Sequence, residues 1–277
     1  MLDSTIAYGL TFLVPAGDRA IGLSLRLYGE FARPEVDFLL ACAGEPGVFI
    51  DVGANVGAIS LPFARRRPDW RVISIEAHRG LAGLLTANAL NNQLYNVEAI
   101  HAAAGPKEGL ARFPAPPLDA SLNFGGVGFG FDAPKETVRM LTLDDLAPPE
   151  TRLVKIDVEG FEAQVLDGAG GLIESRRAIW LIEAAGRDRE ARASTIGRFQ
   201  AAGYDVHWFY APFATPASPK GKPGNPVVGD VNVVATPPGV TPPWPLQRVQ
   251  DPGEPAPPSV AGYDYLLSYG YAPLTPG

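Results

Sequence analysis

Three stretches of this chain set chemically useful side chains at the ends of short apolar runs. The first is VFIDVGANVG, Val48 to Gly57. It delivers the backbone into a tight turn carrying Gly53 and Gly57, with a helix expected beyond. Glycine lets backbone come close to a ligand, and a helix N-terminus offers free N–H donors. Dinucleotides are bound by loops of the same architecture, but their pattern is G-x-G-x-x-G. Here Asn55 stands where the second glycine belongs, and Asp51 precedes the turn. An acid at that position repels a pyrophosphate and suits a cationic amino-acid ligand, which favours S-adenosylmethionine. Asp51, Gly53, Asn55 and Gly57 are therefore the candidate cofactor-binding residues of this loop.

The second stretch ends at Glu76, twenty-five positions after Asp51. A carboxylate at that strand end can accept both hydroxyls of a ribose, which makes Glu76 the fifth cofactor candidate. The third is LVKIDVEGFE, Leu153 to Glu162, in which Lys155, Asp157 and Glu159 alternate with Ile156 and Val158. Charged side chains inside a parallel strand are costly unless paired or functional. An ion pair between Lys155 and a carboxylate answers for one of the two acids and leaves the other. A carboxylate beside an acceptor hydroxyl can take its proton, so Asp157 is the first catalytic candidate and Glu159 the second. Asp157 with Glu183, at a further strand end, could also hold a magnesium or calcium ion through oxygen ligands. His78 and His101 are weaker bases, the latter lying inside a strand.

These positions require a frame that brings strand ends together. Strands are expected at 48–52, 71–76, 97–103, 153–158 and 179–182, with helices at 58–67, 81–91, 162–168 and 195–202. A further strand at 203–208, entered from a glycine turn, and another at 231–235 complete the pattern. Such alternation implies a mostly parallel sheet covered by helices on both faces. The strand ends then carry Asp51, Glu76, Asp157 and Glu183 to one side of the sheet, where ligands bind in open α/β folds. About fifty residues separate the third and fourth strands, too long for a simple crossover. They read as an insertion after the third strand, with extra strands at 110–113 and 138–143 and a loop rich in Gly and Phe at 124–131. This insertion is expected to roof the site. The organisation is an N-terminal extension at 1–46, a catalytic domain at 47–236, and a C-terminal extension rich in Pro and Tyr at 237–277.

Bulk properties exclude other classes. A net charge of −7 leaves no overall basic footprint for nucleic acid. Cys42 is the sole cysteine, so no internal disulfide or cysteine metal cluster forms, and the three histidines lack zinc spacing. No apolar run reaches the ~20 residues that span a bilayer. The apolar run from Ile6 to Val14 has only Asp3 as a charge before it, unlike a secretory signal. A cytoplasmic protein is expected.

The runs FIDVGANVG, IEAH, TLDDL (Thr142 to Leu146), KIDVEGFE and LIE (Leu181 to Glu183) resemble, in order and spacing, the FkbM family of methyltransferases. The resemblance covers about residues 47–183. It implies a class I, Rossmann-like methyltransferase that uses S-adenosylmethionine to methylate a hydroxyl oxygen on a sugar, glycan or small natural product. Ala77 stands where the family often has proline. Two other readings share the fold pattern: a nicotinamide-dependent Rossmann oxidoreductase, and a non-catalytic module that binds a ligand or partner.

Overall fold

A computed structural model describes residues 1–184, 189–222, 228–257 and 262–271. The chain opens with a hairpin, β1 (Leu2–Ala7) and β2 (Leu10–Pro15), joined through Tyr8 and Gly9, both at positive φ. Two positive φ values in a two-residue connection match the right-handed twist of paired strands. Helices α1 (Ile21–Tyr28) and α2 (Arg33–Cys42) follow, and then β3 (Val48–Val52), whose five residues are all buried. Next come α3 (Ser60–Arg66), β4 (Arg71–Glu76), α4 (Arg79–Asn91) and β5 (Val97–His101). The insertion holds β6 (Ala103–Ala104), β7 (Gly109–Pro114) and β8 (Lys135–Leu141). After α5 (Leu143–Leu146) run β9 (Thr151–Ile156), α6 (Glu162–Asp167), α7 (Gly170–Glu174), β10 (Ile179–Glu183), α8 (Arg189–Ala201), β11 (Asp205–Pro212) and β12 (Gly229–Thr236).

Seven strands form the central sheet in the order β11-β12-β10-β9-β3-β4-β5. The five from β10 to β5 are parallel neighbours, and β12 runs against both β10 and β11. This is the class I methyltransferase α/β architecture, with helices on both faces. The parallel strands end on the side that carries Gly53, Glu76, Asp157 and Glu183. Because β12 is reversed, its first residues reach the same side.

Two strands stop earlier than the sequence pattern suggests. The third was expected to run to Ala103, but β5 ends at His101. Ala102 donates its N–H to the Glu76 carbonyl, and β6 leaves to join β8 and β7 in a separate three-stranded sheet. The fourth was expected to reach Val158, but β9 ends at Ile156. Beyond it the Asp157 N–H still bonds the Val52 carbonyl at 3.0 Å. The turn after β3 then crosses so close that a Cβ on Gly53 would lie 1.8 Å from the Asp157 carbonyl oxygen.

The N-terminal hairpin and the described residues beyond β12 both pack on this frame. Two buried amides one turn apart, Asn88 on α4 and Asn92 at its C-terminal cap, hold the inner strand of the hairpin. Asn88 accepts from the Leu13 N–H at 2.7 Å and donates to the Leu13 carbonyl at 3.1 Å, and Asn92 makes the same pair with Thr11. Beyond β12 the Trp208 N–H bonds the Gln247 carbonyl and the Val249 N–H bonds the Val206 carbonyl. That segment thus covers the open edge of β11, a position that would otherwise invite pairing with another chain. Trp244 lies against Phe38 of α2, Phe209 of β11 and Tyr265. Residues 258–261 and 272–277 of the expected C-terminal extension lie outside the described residues.

The Asn88 amide replaces water for backbone groups that the hairpin buries. Asn88→Ala should lower stability by about 1–3 kcal/mol, the cost of buried groups left without partners. Urea unfolding reads this, and an unchanged midpoint would mean that the hairpin is held by its apolar face alone.

Candidate active site

Gly53 and Asn55 make the turn after β3 with φ of +84° and +51°. The Gly53 and Ala54 N–H groups both donate to the Ile75 carbonyl, which fastens the turn to the end of β4. Glu76 secures the other side: one carboxylate oxygen accepts the Asn55 N–H at 2.8 Å and the other the His78 N–H at 2.7 Å. Burial pushes the Glu76 carboxyl up to about 7, against the pull of those backbone donors. Gly57 has a packing role: at φ +89°, a Cβ there would lie 2.6 Å from Leu61 and 2.7 Å from Leu85.

A cavity of about 240 Å³ opens at this end of the sheet. Gly53, Asn55, Glu76, Asp157, Glu159 and Glu183 all line it. Asp51 and Gly57 do not; they lie behind the wall. Asp51 is the register partner of Lys155 on β9, and its buried carboxylate faces Ser60 at the start of α3. Burial raises its carboxyl to about 6, and Lys155 opposes that rise.

Lys155 is 3% exposed in the middle of the sheet. Its Nζ lies 2.8 Å from Asp157 Oδ2 and 3.8 Å from Glu35 Oε2. Burial works against its charge, but Asp157, Glu35 and Asp51 outweigh that and hold the ammonium above its ordinary pKa. Glu35 comes from α2, and Asn232 of β12 donates to it at 3.2 Å. Burial pushes the Glu35 carboxyl up to about 7, with Lys155 again opposing.

The carboxylates of Asp157, Glu159 and Glu183 converge, with one oxygen of each within 4.8 Å of the others. Glu159 sits at φ +54° and Gly160 at +87°, in a turn whose Val158 and Gly160 N–H groups donate to Glu162. The second glutamate of VEGFE therefore shapes the turn that presents the first. Burial and the neighbouring Asp157 raise the Glu159 carboxyl to about 7. The TLDDL run is structural too. Thr142 caps α5, and Asp144 accepts from Gly171 and Leu172 at the start of α7.

His78 caps α4: Nδ1 accepts the Gly80 and Leu81 N–H groups, which leaves Nε2 to donate to the Pro116 carbonyl at 2.8 Å. His101 is exposed at the end of β5 and does not line the cavity, rather than being packed inside its strand. The insertion supplies the roof through Phe113, Phe124, Val127 and Phe129. Gly128 presses on the acid turn, where a Cβ would lie 2.5 Å from the Glu159 carbonyl.

Sequence reasoning missed Asp230 at the start of β12, and Phe31 and Phe213, which also line the cavity. It missed Glu35 beneath the floor as well. The reversed hairpin β11–β12 brings Asp230 to the mouth, and GDVNVV carries no local sign of that.

Residues 51–206 match the model of the methyltransferase FkbM domain, more than half of the chain. A solved methyltransferase FkbM from Methylobacillus flagellatus KT aligns at 18% identity and TM-score 0.50, over 75% of this chain and 49% of that one. The chain thus aligns with about half the length of that relative. A precorrin-6y C5,15-methyltransferase from Geobacter metallireducens GS-15 aligns at 17% identity and TM-score 0.47, over 73% of this chain and 87% of its own. No curated protein matches by sequence.

Lys155 neutralises the carboxylates of Glu35 and Asp51, which lie too deep to reach water. Lys155→Met should cost about 3–5 kcal/mol, the usual penalty for breaking a buried ion pair from one side. Denaturant unfolding at neutral pH measures it, and a loss below about 1 kcal/mol would show the carboxylates to be neutral there without it.

Proposed function

The chain belongs to the FkbM family of S-adenosylmethionine-dependent methyltransferases, and on that premise we propose that it methylates a hydroxyl oxygen of a sugar, glycan or small natural product. One observation carries the reading. Glu76 and Asp157, from the ends of β4 and β9, face a single cavity on either side of the Gly53 turn. Glu76 is the proposed ribose ligand: each of its oxygens accepts one backbone N–H and keeps a lone pair for a hydroxyl donor. Gly53 lets the turn pass against the Asp157 backbone, and the Asn55 side chain accepts the Val56 N–H at 2.9 Å, which holds the turn in the shape proposed to receive the cofactor. Asp51 stands behind them as negative charge, a more remote role than direct contact.

Held by Glu76 and the Gly53 turn, S-adenosylmethionine would supply an electrophilic methyl group to the acceptor oxygen, its sulfur keeping the electron pair of the carbon–sulfur bond. Asp157 is the proposed base that takes the hydroxyl proton. Lys155 holds one of its oxygens at 2.8 Å, so the other is the one presented to the acceptor. Glu159 backs it as a second carboxylate on the same wall. The phenylalanines of the roof exclude water, which strengthens the hydrogen bond between Asp157 and the hydroxyl. No described helix is long and apolar enough to cross a membrane, and a cytoplasmic location with a small-molecule or glycan acceptor fits the reading.

A divalent cation on Asp157 and Glu183 is the second reading, favoured by the convergence of their oxygens with that of Glu159. It separates cleanly from the first. Under the metal reading, chelator abolishes turnover and magnesium restores it.

Glu76→Ala should weaken S-adenosylmethionine binding by about 1–3 kcal/mol through lost charge-assisted hydrogen bonds. Isothermal calorimetry reads this, and unchanged affinity would remove Glu76 from the cofactor site. Asp157→Asn keeps the shape and removes the base. Its cofactor affinity should stay near that of the parent while methyl transfer falls by about 10²–10⁴. Normal turnover in this variant would leave Asp157 as the partner of Lys155 and nothing more.

A further inference from the structure

We propose that Asp18 is a positioning residue of the cofactor site: it builds the turn that pins the insertion at residues 120–124 and so holds Phe124 against the nucleoside end of the cavity. The inference rests on the reading of Glu76 as the ribose ligand. It adds a wall from outside the matched domain, which begins at residue 51.

Glu76 divides the cavity. With the ribose on Glu76 and the methyl group toward Asp157, the base lies on the far side, among His78, Leu81 and Ala102, which also line the cavity. Phe124 lines it too and stands edge-on to His78, with ring centroids 6.0 Å apart. A buried aromatic ring there suits a flat base that must leave water. Ala20 and Ile21 face the same cavity, and a Cβ on Gly125 would lie 3.3 Å from Ile21. Two segments a hundred residues apart therefore meet at this end.

Residues 115–134 form neither strand nor helix, so the place of Phe124 depends on what the loop touches. His78 holds one end of it through the Pro116 carbonyl. The segment before α1 holds the rest. Asp18 is 1% exposed, and both its carboxylate oxygens accept backbone N–H groups. Oδ2 takes Gly22 at 2.7 Å, and Oδ1 takes Ala20 at 3.1 Å and Phe124 at 3.4 Å. In the turn so made, the Arg19 N–H donates to the Leu122 carbonyl at 3.0 Å and its guanidinium to the Ser121 hydroxyl at 3.1 Å. Arg26 braces the back of the turn through the carbonyls of Pro15 and Asp18. At Gly17 the two backbones touch: a Cβ there would lie 2.3 Å from the Ala120 carbonyl oxygen. The Ala20 and Gly22 bonds are enough to cap α1. The contacts with residues 120–124 go beyond that and converge on the residue that faces the cavity.

Isothermal calorimetry on the full chain tests this with S-adenosylhomocysteine and adenosine as probes. Asp18→Ala should weaken S-adenosylhomocysteine binding by about tenfold. Adenosine should lose affinity by a similar factor, because the wall that moves is at the nucleoside end. Phe124→Ala should weaken both probes as well. Adding Asp18→Ala to it should cost no more than about a further twofold, since residues that act through one contact are not additive. A role confined to capping α1 would instead leave affinity unchanged or give losses that add. Gly17→Ala drives the two backbones apart with the carboxylate in place. It should weaken both probes by about threefold or more, and it carries the test if Asp18→Ala does not fold. Unchanged S-adenosylhomocysteine affinity in a folded Asp18→Ala or in Gly17→Ala, a loss that spares adenosine, or additive losses in the double variant overturns the proposal. Glu76→Ala, measured alongside, separates the two readings. Weaker binding there with none lost in Asp18→Ala leaves the cofactor site standing without this wall. Full affinity in Glu76→Ala removes the ribose reading and the inference with it.

Discussion

The buried ammonium of Lys155 is the interaction on which this site depends. It rises from the central strand β9 into a ring of three carboxylates. Glu35 comes from the second helix, Asp51 from the neighbouring strand β3, and Asp157 from the end of β9 itself. Opposite charges a few ångströms apart in a poorly polarisable interior attract far more strongly than in water. Taking each of them out of water is also expensive. The arrangement holds because no member can leave without stranding the rest. Asp157 is thereby fixed, with one oxygen engaged and the other open to the cavity.

Around that centre the backbone leaves little room for adjustment. The Gly53 turn passes within contact of the Asp157 carbonyl, so the strand end that carries the proposed base and the loop proposed for the cofactor share one surface. Glu76 ties the same loop through Asn55 and reaches on to His78 at the start of α4. The floor of the site is thus a set of strand ends locked by main-chain hydrogen bonds. The roof has a different character. It comes from a fifty-residue insertion that touches the floor through glycine and phenylalanine, and such contacts change shape with less loss than a hydrogen-bonded ladder. The proposed acceptor site draws on the roof and the acid wall, and the proposed cofactor site on the floor.

The two ends of the chain complete the domain. The N-terminal hairpin is stitched to α4 through Asn88 and Asn92, and α2 brings Glu35 to the ion network. The C-terminal segment covers the β11 edge and seats Trp244 and Tyr265 on that same helix and strand. Phe31, from the first of these regions, and Phe213, from just after β11, meet at the cavity. The surroundings of the site therefore draw on residues outside the recognisable motifs.

What could be read from the sequence was local in origin. Apolar runs leading to Asp51, Glu76, Asp157 and Glu183 declared parallel strands, and glycines at 53 and 57 declared the turn. Parallel strands must end on one side, so the convergence of Glu76, Asp157 and Glu183 followed without any knowledge of contacts. The length of the insertion and its glycine–phenylalanine run likewise announced a roof. Tertiary structure alone decided the rest, because it depends on which distant segments become neighbours. The pairing of β12 between β10 and β11 carries Asp230 to the mouth of the cavity, and the docking of α2 brings Glu35 beneath it. The register between β3 and β9 sets Asp51 beside Lys155 and behind the wall. Strand periodicity names the face a residue takes, but the charge it will meet there is set by the strand or helix that packs against it.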